Sequence, residues 1–227
     1  MANKSIIDMA KDFLAIVRKS RVGTVQPYDM AVILNQATEA VVTDKLKVIE
    51  IDKKSYNDLL PLRTTTTIEV TTIKATTIDA TTSDAGDLFP NKMFAVPSNF
   101  RRDIRLTAKF GTNAPTKTIL IKSNEATDIL NGVFSRPTIH QTYYMYFLND
   151  NVSSIKIYTG SITDDVKAQF EYYRNPVIIT ENMIVEGSTL SEFNNEVSME
   201  IIEKAALMYL ERVQDARVNT FNNITNK

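Results

Sequence analysis

The chain of 227 residues contains no cysteine, no tryptophan, one histidine and only six glycines. Without cysteine it can form no disulfide, thiolate metal site or cysteine nucleophile, and it fits a reducing compartment. Because His140 is the single histidine, one chain cannot build a histidine metal site or a serine–histidine relay. We therefore predict that His140 is structural.

Motifs for catalysis are also missing. The glycines follow neither the GxGxxG nor the GxxxxGK spacing of loops that cradle phosphate. Paired carboxylates occur at Asp164 with Asp165 and at Asp84 with Asp87, all in turn-like sequence. Such acids are typical of solvated loops and not of an acid–base pair. We predict that the chain is not an enzyme and uses no cofactor or metal.

The charges of the chain are nearly balanced, with 26 basic and 27 acidic residues and a net charge of −1. Proteins that grip nucleic acid normally carry a basic excess, so nucleic acid is not the expected partner. Charged residues interrupt residues 1–20, unlike a secretory signal. No run of about 18 apolar residues is present to span a membrane. The sequence therefore predicts a protein that works in solution.

Both ends of the chain show the periodicity of amphipathic helices. One apolar stripe runs through residues 3–19. Pro27 begins a second helix, whose apolar stripe weakens at Asp44 and Lys45. Near the C-terminus, Thr189-x-x-Glu192 is a possible capping box for a long helix that ends at about Arg217. The three stripes contain Ile6, Ala10, Phe13, Leu14 and Val17; Met30, Ile33, Leu34, Ala37 and Val41; and Val197, Ile201, Ala205, Met208, Tyr209 and Val213.

Between residues 92 and 179 the apolar period becomes two, as in a strand with one covered face. The clearest strand contains Ile104, Leu106, Ala108 and Phe110. Further strands are predicted at 118–122, 140–148, 152–159 and 166–173, with a helical turn at 125–130. Short strands at this spacing are typical of a small antiparallel sheet or sandwich. With helices at both ends, the predicted fold class is α+β.

Residues 66–85 form four tandem pentads, TTIEV, TTIKA, TTIDA and TTSDA. Threonine and isoleucine favour extended chain, but a period of five gives no constant face in a strand or a helix. The segment is either an extended arm that contacts neighbouring subunits or a duplication tolerated in a surface loop. The sequence thus divides into an N-terminal helical segment (1–62), a threonine-rich arm (63–90), a β domain (91–180) and a connector with the C-terminal helix (181–227).

Apolar residues on charged or repetitive surfaces are candidates for contacts with other subunits. Leu207 and Leu210 interrupt the charged side of the last helix, which indicates a second packing partner. The isoleucines of the arm are the other candidates. The predicted interface residues are Leu207, Leu210, Ile68, Ile73 and Ile78.

Two further clusters allow alternative interpretations. Arg101, Arg102 and Arg105 are either anion contacts in a channel or, as we prefer, part of a solvated or salt-bridged sheet edge. A group of aromatic residues allows two interpretations. It is either a platform on which sugars or bases stack or, as we prefer, part of a sheet with one face in the core and the other in a subunit interface. The aromatic group comprises Tyr143, Tyr144, Tyr146, Phe147, Tyr172 and Tyr173.

Three stretches together resemble virion proteins of tailed bacteriophages, in particular the head-to-tail connector and tail-ring proteins of crAss-like podoviruses. They are QPYDMAVILNQAT, FEYYRNPVIIT and SEFNNEVSMEIIEKAALMYLERVQDARVNTF. The resemblance covers most of the chain in layout, whereas the pentads have no counterpart in it. It implies a ring of about twelve identical copies, with the portal protein and neighbouring tail or ring proteins as partners.

The resemblance also implies a location in the tail or collar of the virion, after assembly in the host cytoplasm. Genomic DNA would pass through the ring without specific binding, and no membrane is involved.

A different class of function remains open, a ligand-binding β module such as a carbohydrate-binding or adhesive domain that uses the tyrosines. A third is a hydrolase with a diffuse site. The lack of tryptophan disfavours sugar binding, and the single histidine disfavours the hydrolase.

Overall fold

The computed structural model describes residues 3–19, 24–69, 91–132, 137–138, 140–149, 152–158, 166–187 and 189–225. The chain forms two compact units. The helical unit contains Met1–Leu62 and Pro176–Lys227, and the β unit contains Arg63–Asn175. The fold is α+β, as the sequence predicts. The β unit is an insertion between two segments that build one helical unit.

The elements of both units are numbered in chain order. The helices are α1 (Ile6–Lys19), α2 (Pro27–Val48), α3 (Lys53–Asp58), α4 (Ser123–Asn131), α5 (Glu181–Val185) and α6 (Asn195–Thr225), with a 3-10 turn at Leu60–Leu62. The strands are β1 (Arg63–Glu69), β2 (Asn91–Ala95), β3 (Phe100–Phe110), β4 (Thr116–Leu120), β5 (Thr142–Asn149), β6 (Val152–Tyr158) and β7 (Val166–Arg174).

The core of the helical unit is built from the predicted apolar stripes. α1 and α2 both pack on α6, and the five stripe residues of α2 are all buried. Phe13 of α1 is fully buried and meets the ring of Tyr209 edge-on, with the ring centroids 5.8 Å apart. Within the α1 stripe, Leu14 is half-buried while the other four residues are buried. The helical periodicity of the sequence is therefore confirmed.

Helix α2 continues past the point where its stripe weakens. Lys45 lies on the helix and its ammonium reaches Asp58 of α3 at 2.9 Å and Glu200 of α6 at 2.8 Å. Asn194 also donates to Asp58, at 3.3 Å. Because the lysine has two carboxylate partners, a charged residue at this position supports the packing of three helices. The helix ends at Val48.

The predicted capping box of α6 is wrong. The helix begins at Asn195, and the side chain of Asn194 accepts the amide of Val197 at 2.8 Å, which satisfies an amide of the first turn. The two residues of the predicted box have other partners. The carbonyl of Thr189 accepts the amide of Ile6 at 2.9 Å, and the Glu192 carboxylate accepts the amide of Val177 at 2.7 Å.

The described residues of the β unit form one seven-stranded curled sheet with the order β1-β7-β3-β4-β5-β6-β2. All neighbours are antiparallel except β4 and β5, which pair in parallel. The expectation of a purely antiparallel sheet is thus corrected. Parallel neighbours need a crossover connection, and α4 is located in the connection between β4 and β5. The helical turn predicted at 125–130 is part of this crossover.

Two apolar clusters stabilise the sheet. The larger one draws on β2, β3, β5, β6 and β7, and its fully buried members include Ile155, Ile157 and Phe170. The smaller cluster lies on the opposite side of β5 and β6, where Tyr143, Met145 and Tyr158 pack with residues of α4 and its flank. Those residues are Ile121, Ala126 and Leu130. Both faces of the central strands are therefore covered, as in a buried strand.

Strand β1 contains residues 63–69, which the sequence assigns to the threonine-rich arm. In this edge strand Thr65 is opposite Glu171 and Thr67 is opposite Gln169. The rest of the arm, residues 70–90, lies outside the described residues. Its two described ends, Glu69 and Asn91, belong to the strands at opposite ends of the sheet order.

Candidate interaction surfaces

The described residues contain no cluster of three or more histidine, aspartate or glutamate side chains that could hold a metal ion. His140 is exposed in the turn between Thr138 and Gln141, and its amide donates to the Thr138 hydroxyl at 3.3 Å. The predicted loop acids Asp84, Asp87, Asp164 and Asp165 lie outside the described residues.

Register brings basic residues of three strands to one face of the sheet. Lys109 of β3 is directly opposite Lys167 of β7, and Lys117 of β4 is opposite Thr107, two positions before Lys109. Directly opposite residues share a face, with Cβ atoms about 4.5–5.5 Å apart. Arg105 is on the same face, opposite Glu171. All four basic side chains are exposed, and Arg105, Lys109, Lys117 and Lys167 are termed the basic face.

The acid beside the basic face is buried and has two arginine partners. Glu171 pairs with Arg63 of β1, and its second carboxylate oxygen lies 3.4 Å from Arg105. Two arginines on one carboxylate hold the edge strand against β7 and fix the position of Arg105. Arg101 and Arg102 are half-buried and also have partners within the chain. Arg105 is salt-bridged, as in the preferred interpretation, but β3 lies between β7 and β4 in the sheet order, so the predicted sheet edge is wrong.

Four members of the aromatic group, Tyr143, Tyr144, Tyr172 and Tyr173, are buried in core, whereas the side chain of Phe147 lies outside what the structure describes. Tyr144 and Tyr172 belong to the larger apolar cluster, and Tyr143 lies in the cluster beside α4. Phe100 stacks on Phe170 with the ring centroids 5.5 Å apart, and Tyr146 packs against it. The predicted core face is confirmed. The opposite face holds Tyr143 in a second core, not in an open interface.

One hydroxyl at this cluster has a charged partner. The Tyr144 hydroxyl donates to Asp103 at 2.9 Å. Burial, assisted by the negative charge of Asp103 and by this hydrogen bond, raises the pKa of the Tyr144 phenol above its usual range. Burial and the same carboxylate raise the pKa of Tyr146 as well. Both phenols are therefore neutral in the physiological range, which suits a structural role.

A stripe of exposed acidic residues follows helix α6. Its members recur every three or four residues, so at 100° per residue they lie within an arc of about 80°. Leu207 is among them and is 52% exposed. Glu196 and Glu200 pair with Lys54 and Lys45, respectively. The stripe, termed the acidic stripe, consists of Glu196, Glu200, Glu203, Leu207 and Glu211.

The segment that follows β7 is pinned to α2 but exposes its apolar side chains. The Asn35 side chain donates to the carbonyl of Ile179 and accepts its amide, both at 2.8 Å. Val177 is 52% exposed and Ile178 is 72% exposed. A cavity of about 110 Å³ opens beside them and is lined by apolar residues including Val177 and Leu190. This surface, Val177, Ile178 and Leu190, is termed the connector patch.

The predicted interface residues are only partly described. Leu207 is exposed and Leu210 is half-buried. Ile68 lies in β1 opposite Ala168, and Ile73 and Ile78 lie outside the described residues. Arg105 and Lys109 are four residues apart on β3, so strand alternation in the sequence places both on one face. Sequence reasoning misses Lys167 as their neighbour, because the pairing of β3 with β7 is not visible in the sequence.

Within the described ranges, none of the helices combines the length and apolar composition that a bilayer span requires. A scan of the sequence against models of known protein families found no match. A search of curated proteins also found no match.

Proposed function

We propose that the chain is a structural virion protein of a tailed bacteriophage, whose copies form a ring that connects the head to the tail. The ring would stand between the portal and neighbouring tail proteins, in the tail or collar. Genomic DNA would pass through it without specific binding. The resemblance of the three sequence stretches supports this assignment, and the chain would act by assembly without catalysis.

The connector patch is the observation that carries the proposal. A folded chain normally covers most large apolar side chains, and adjacent exposed ones mark sites of association. The backbone on both sides of Ile178 is held by hydrogen bonds, since Val177 donates to Glu192 and Ile179 bonds twice with Asn35. The exposed Val177 and Ile178 therefore belong to an ordered segment. Leu190 adds to the same surface and is 57% exposed. Such a surface suits a subunit that is covered by a neighbour.

No specific observation favours the ligand-binding β module. That function needs accessible aromatic side chains, because sugars and bases bind by stacking on an open ring face. Tyr143, Tyr144, Tyr172 and Tyr173 are buried. Their rings contribute to the core of the β unit and leave no open stacking platform among these four tyrosines.

The proposal is tested by the mass and shape of the purified protein. Light scattering and negative-stain images should give ring-shaped particles with a mass many times that of the 25.6 kDa chain. The double variant Ile178→Asp/Leu190→Asp should assemble less, because each substitution puts a charge into a surface that becomes covered. Ile51→Asp is the matched control, since Ile51 is exposed on the helical unit outside the patch. A monomer at every concentration would overturn the proposal.

A further inference from the structure

We infer that the basic face of one copy binds the acidic stripe of α6 in the next copy of the same chain. This inference rests on the proposed ring, because it names two surfaces, in addition to the connector patch, through which neighbouring subunits meet. Neither surface resembles the other, so the contact is head-to-tail and can close into a ring.

The basic face has the charge and the exposure that such a contact needs. Lys109 and Lys167 stand side by side on adjacent strands, which is unfavourable unless a counter-charge is supplied. The carboxylate of Glu171 is buried and pairs with Arg63 and Arg105, so its charge is already compensated within the chain. Glu69, opposite Lys167 in the register of the edge strand, is an acid on the same face. The four cations outnumber Glu69 and Glu171, so the described register leaves this face with an excess of positive charge.

The acidic stripe has the complementary charge and one apolar anchor. It rises about 22 Å along α6, at 1.5 Å per residue from Glu196 to Glu211. Glu203 and Glu211 form no ion pair within the described part of the chain. Leu207 is exposed midway between them. Two unneutralised carboxylates that flank a leucine are typical of a surface that receives a cationic partner.

The basic face also offers a place for Leu207. Between its cations lie Thr65, Thr67 and Thr107, whose methyl groups can contact a leucine side chain. The aliphatic stems of lysine cover apolar surface while the ammonium groups reach outward to carboxylates. Charge pairs would thus surround one buried apolar contact, which is the arrangement of a polar rim and an apolar centre.

A second copy is a better partner than a polyanion. The two surfaces have opposite charge, belong to the same chain and are present at equal concentration in any assembly. A polyanion would neutralise the basic face but would leave the acidic stripe and Leu207 uncovered. The nearly balanced net charge of −1 also fits self-complementary surfaces.

The test is a charge swap in the full-length chain. Variant one carries Lys109→Glu and Lys167→Glu, and variant two carries Glu203→Lys and Glu211→Lys. Each variant has a matched control that reverses two exposed charges elsewhere. The control for variant one carries Lys11→Glu and Lys47→Glu. The control for variant two carries Glu181→Lys and Glu186→Lys. Sedimentation velocity measures self-association at low and high salt. Circular dichroism and the unfolding midpoint check that each variant keeps its fold.

Each variant alone should associate at least about tenfold more weakly than the wild type, because like charges now face each other. An equimolar mixture of the two variants should regain the wild-type mass, since every contact in an alternating assembly is then complementary. The controls should assemble normally, and high salt should weaken the wild-type assembly.

Three results would overturn parts of this account, and they are distinguishable. If both variants assemble like the wild type, the ring remains and these surfaces are not its interface. If variant one assembles normally but loses binding to a single-stranded oligonucleotide that the wild type holds, the basic face is a polyanion site. A wild-type chain that stays monomeric contradicts both the interface and the proposed function.

Discussion

The ammonium of Lys45 lies 2.9 Å from the carboxylate of Asp58, and both side chains are largely buried, at 12% and 5% exposure. Burial lowers the affinity of Lys45 for its proton, but hydrogen bonds to Glu200 and Asp58 outweigh it, so the pKa of Lys45 is raised. The pair links α2 to α3, and Glu200 extends the link to α6.

Replacing Lys45 with methionine should destabilise the helical unit by about 2–4 kcal/mol, because Asp58 would remain buried without its cation. Urea unfolding followed by helical ellipticity measures the change. Lys47→Met is the control, since Lys47 pairs with Asp44 on the exposed side of α2 and should change nothing measurable. Equal effects of the two substitutions would contradict the role of the buried pair.

Replacing Asn35 with alanine should release the connector. Two hydrogen bonds to the backbone of Ile179 would be lost, at a cost of about 1–3 kcal/mol. Amide hydrogen exchange at Ile179 should accelerate, while exchange in the β unit should not change. Gln36→Ala serves as the neighbouring control, because Gln36 is exposed on the next position of α2. An unchanged exchange rate at Ile179 would show that Asn35 does not hold the segment.

Replacing Glu171 with glutamine should loosen the edge of the sheet. Arg63 and Arg105 would lose their shared carboxylate, and we expect a loss of about 1–3 kcal/mol, limited by the solvent exposure of Arg105. Hydrogen exchange in β1 should increase most. The control is Glu125→Gln, whose partner Lys122 is exposed and 4.0 Å away. If β1 remains as protected as in the wild type, the arginine pairs do not hold it.

Alkaline pH should destabilise the β unit. The raised pKa of Tyr144 and Tyr146 means that the folded chain favours neutral phenols, whereas unfolded tyrosines ionise at about pH 10. Their contribution is therefore complete below about pH 10 and is lost as the pH rises above it. The double variant Tyr144→Phe/Tyr146→Phe should lose less stability between pH 8 and about 11 than the wild type. Tyr28→Phe, at an exposed position, should retain the wild-type profile.

Local patterns in the sequence predict local structure well in this chain. Met30, Ile33 and Leu34 recur with the helical period, and all three are buried in α2. Ile104 to Phe110 alternate, and the strand forms there with Leu106, Ala108 and Phe110 inside. These outcomes follow because the spacing of apolar residues reports which side of an element is covered.

Contacts between distant segments are what the sequence does not reveal. The parallel pairing of β4 with β5 depends on the crossover through α4, and the alternation of residues within either strand does not indicate which strand it pairs with. Thr189 and Glu192 match the pattern of a capping box but do not cap α6. The carbonyl of Thr189 accepts the amide of Ile6 instead, and the carboxylate of Glu192 accepts the amide of Val177. The basic face needs the register of β3 with β7, which only the folded sheet supplies.

The insertion of the β unit into the helical unit has a consequence for synthesis on the ribosome. All seven strands have been translated when Asn175 is added, so the sheet can pair while the chain is still nascent. The apolar stripes of α1 and α2 have to wait for α6, which is translated after the whole β unit and supplies their cover. The strands therefore meet their pairing partners earlier in translation than the N-terminal helices meet α6, and the apolar stripes of α1 and α2 stay uncovered by α6 while the whole β unit is being made.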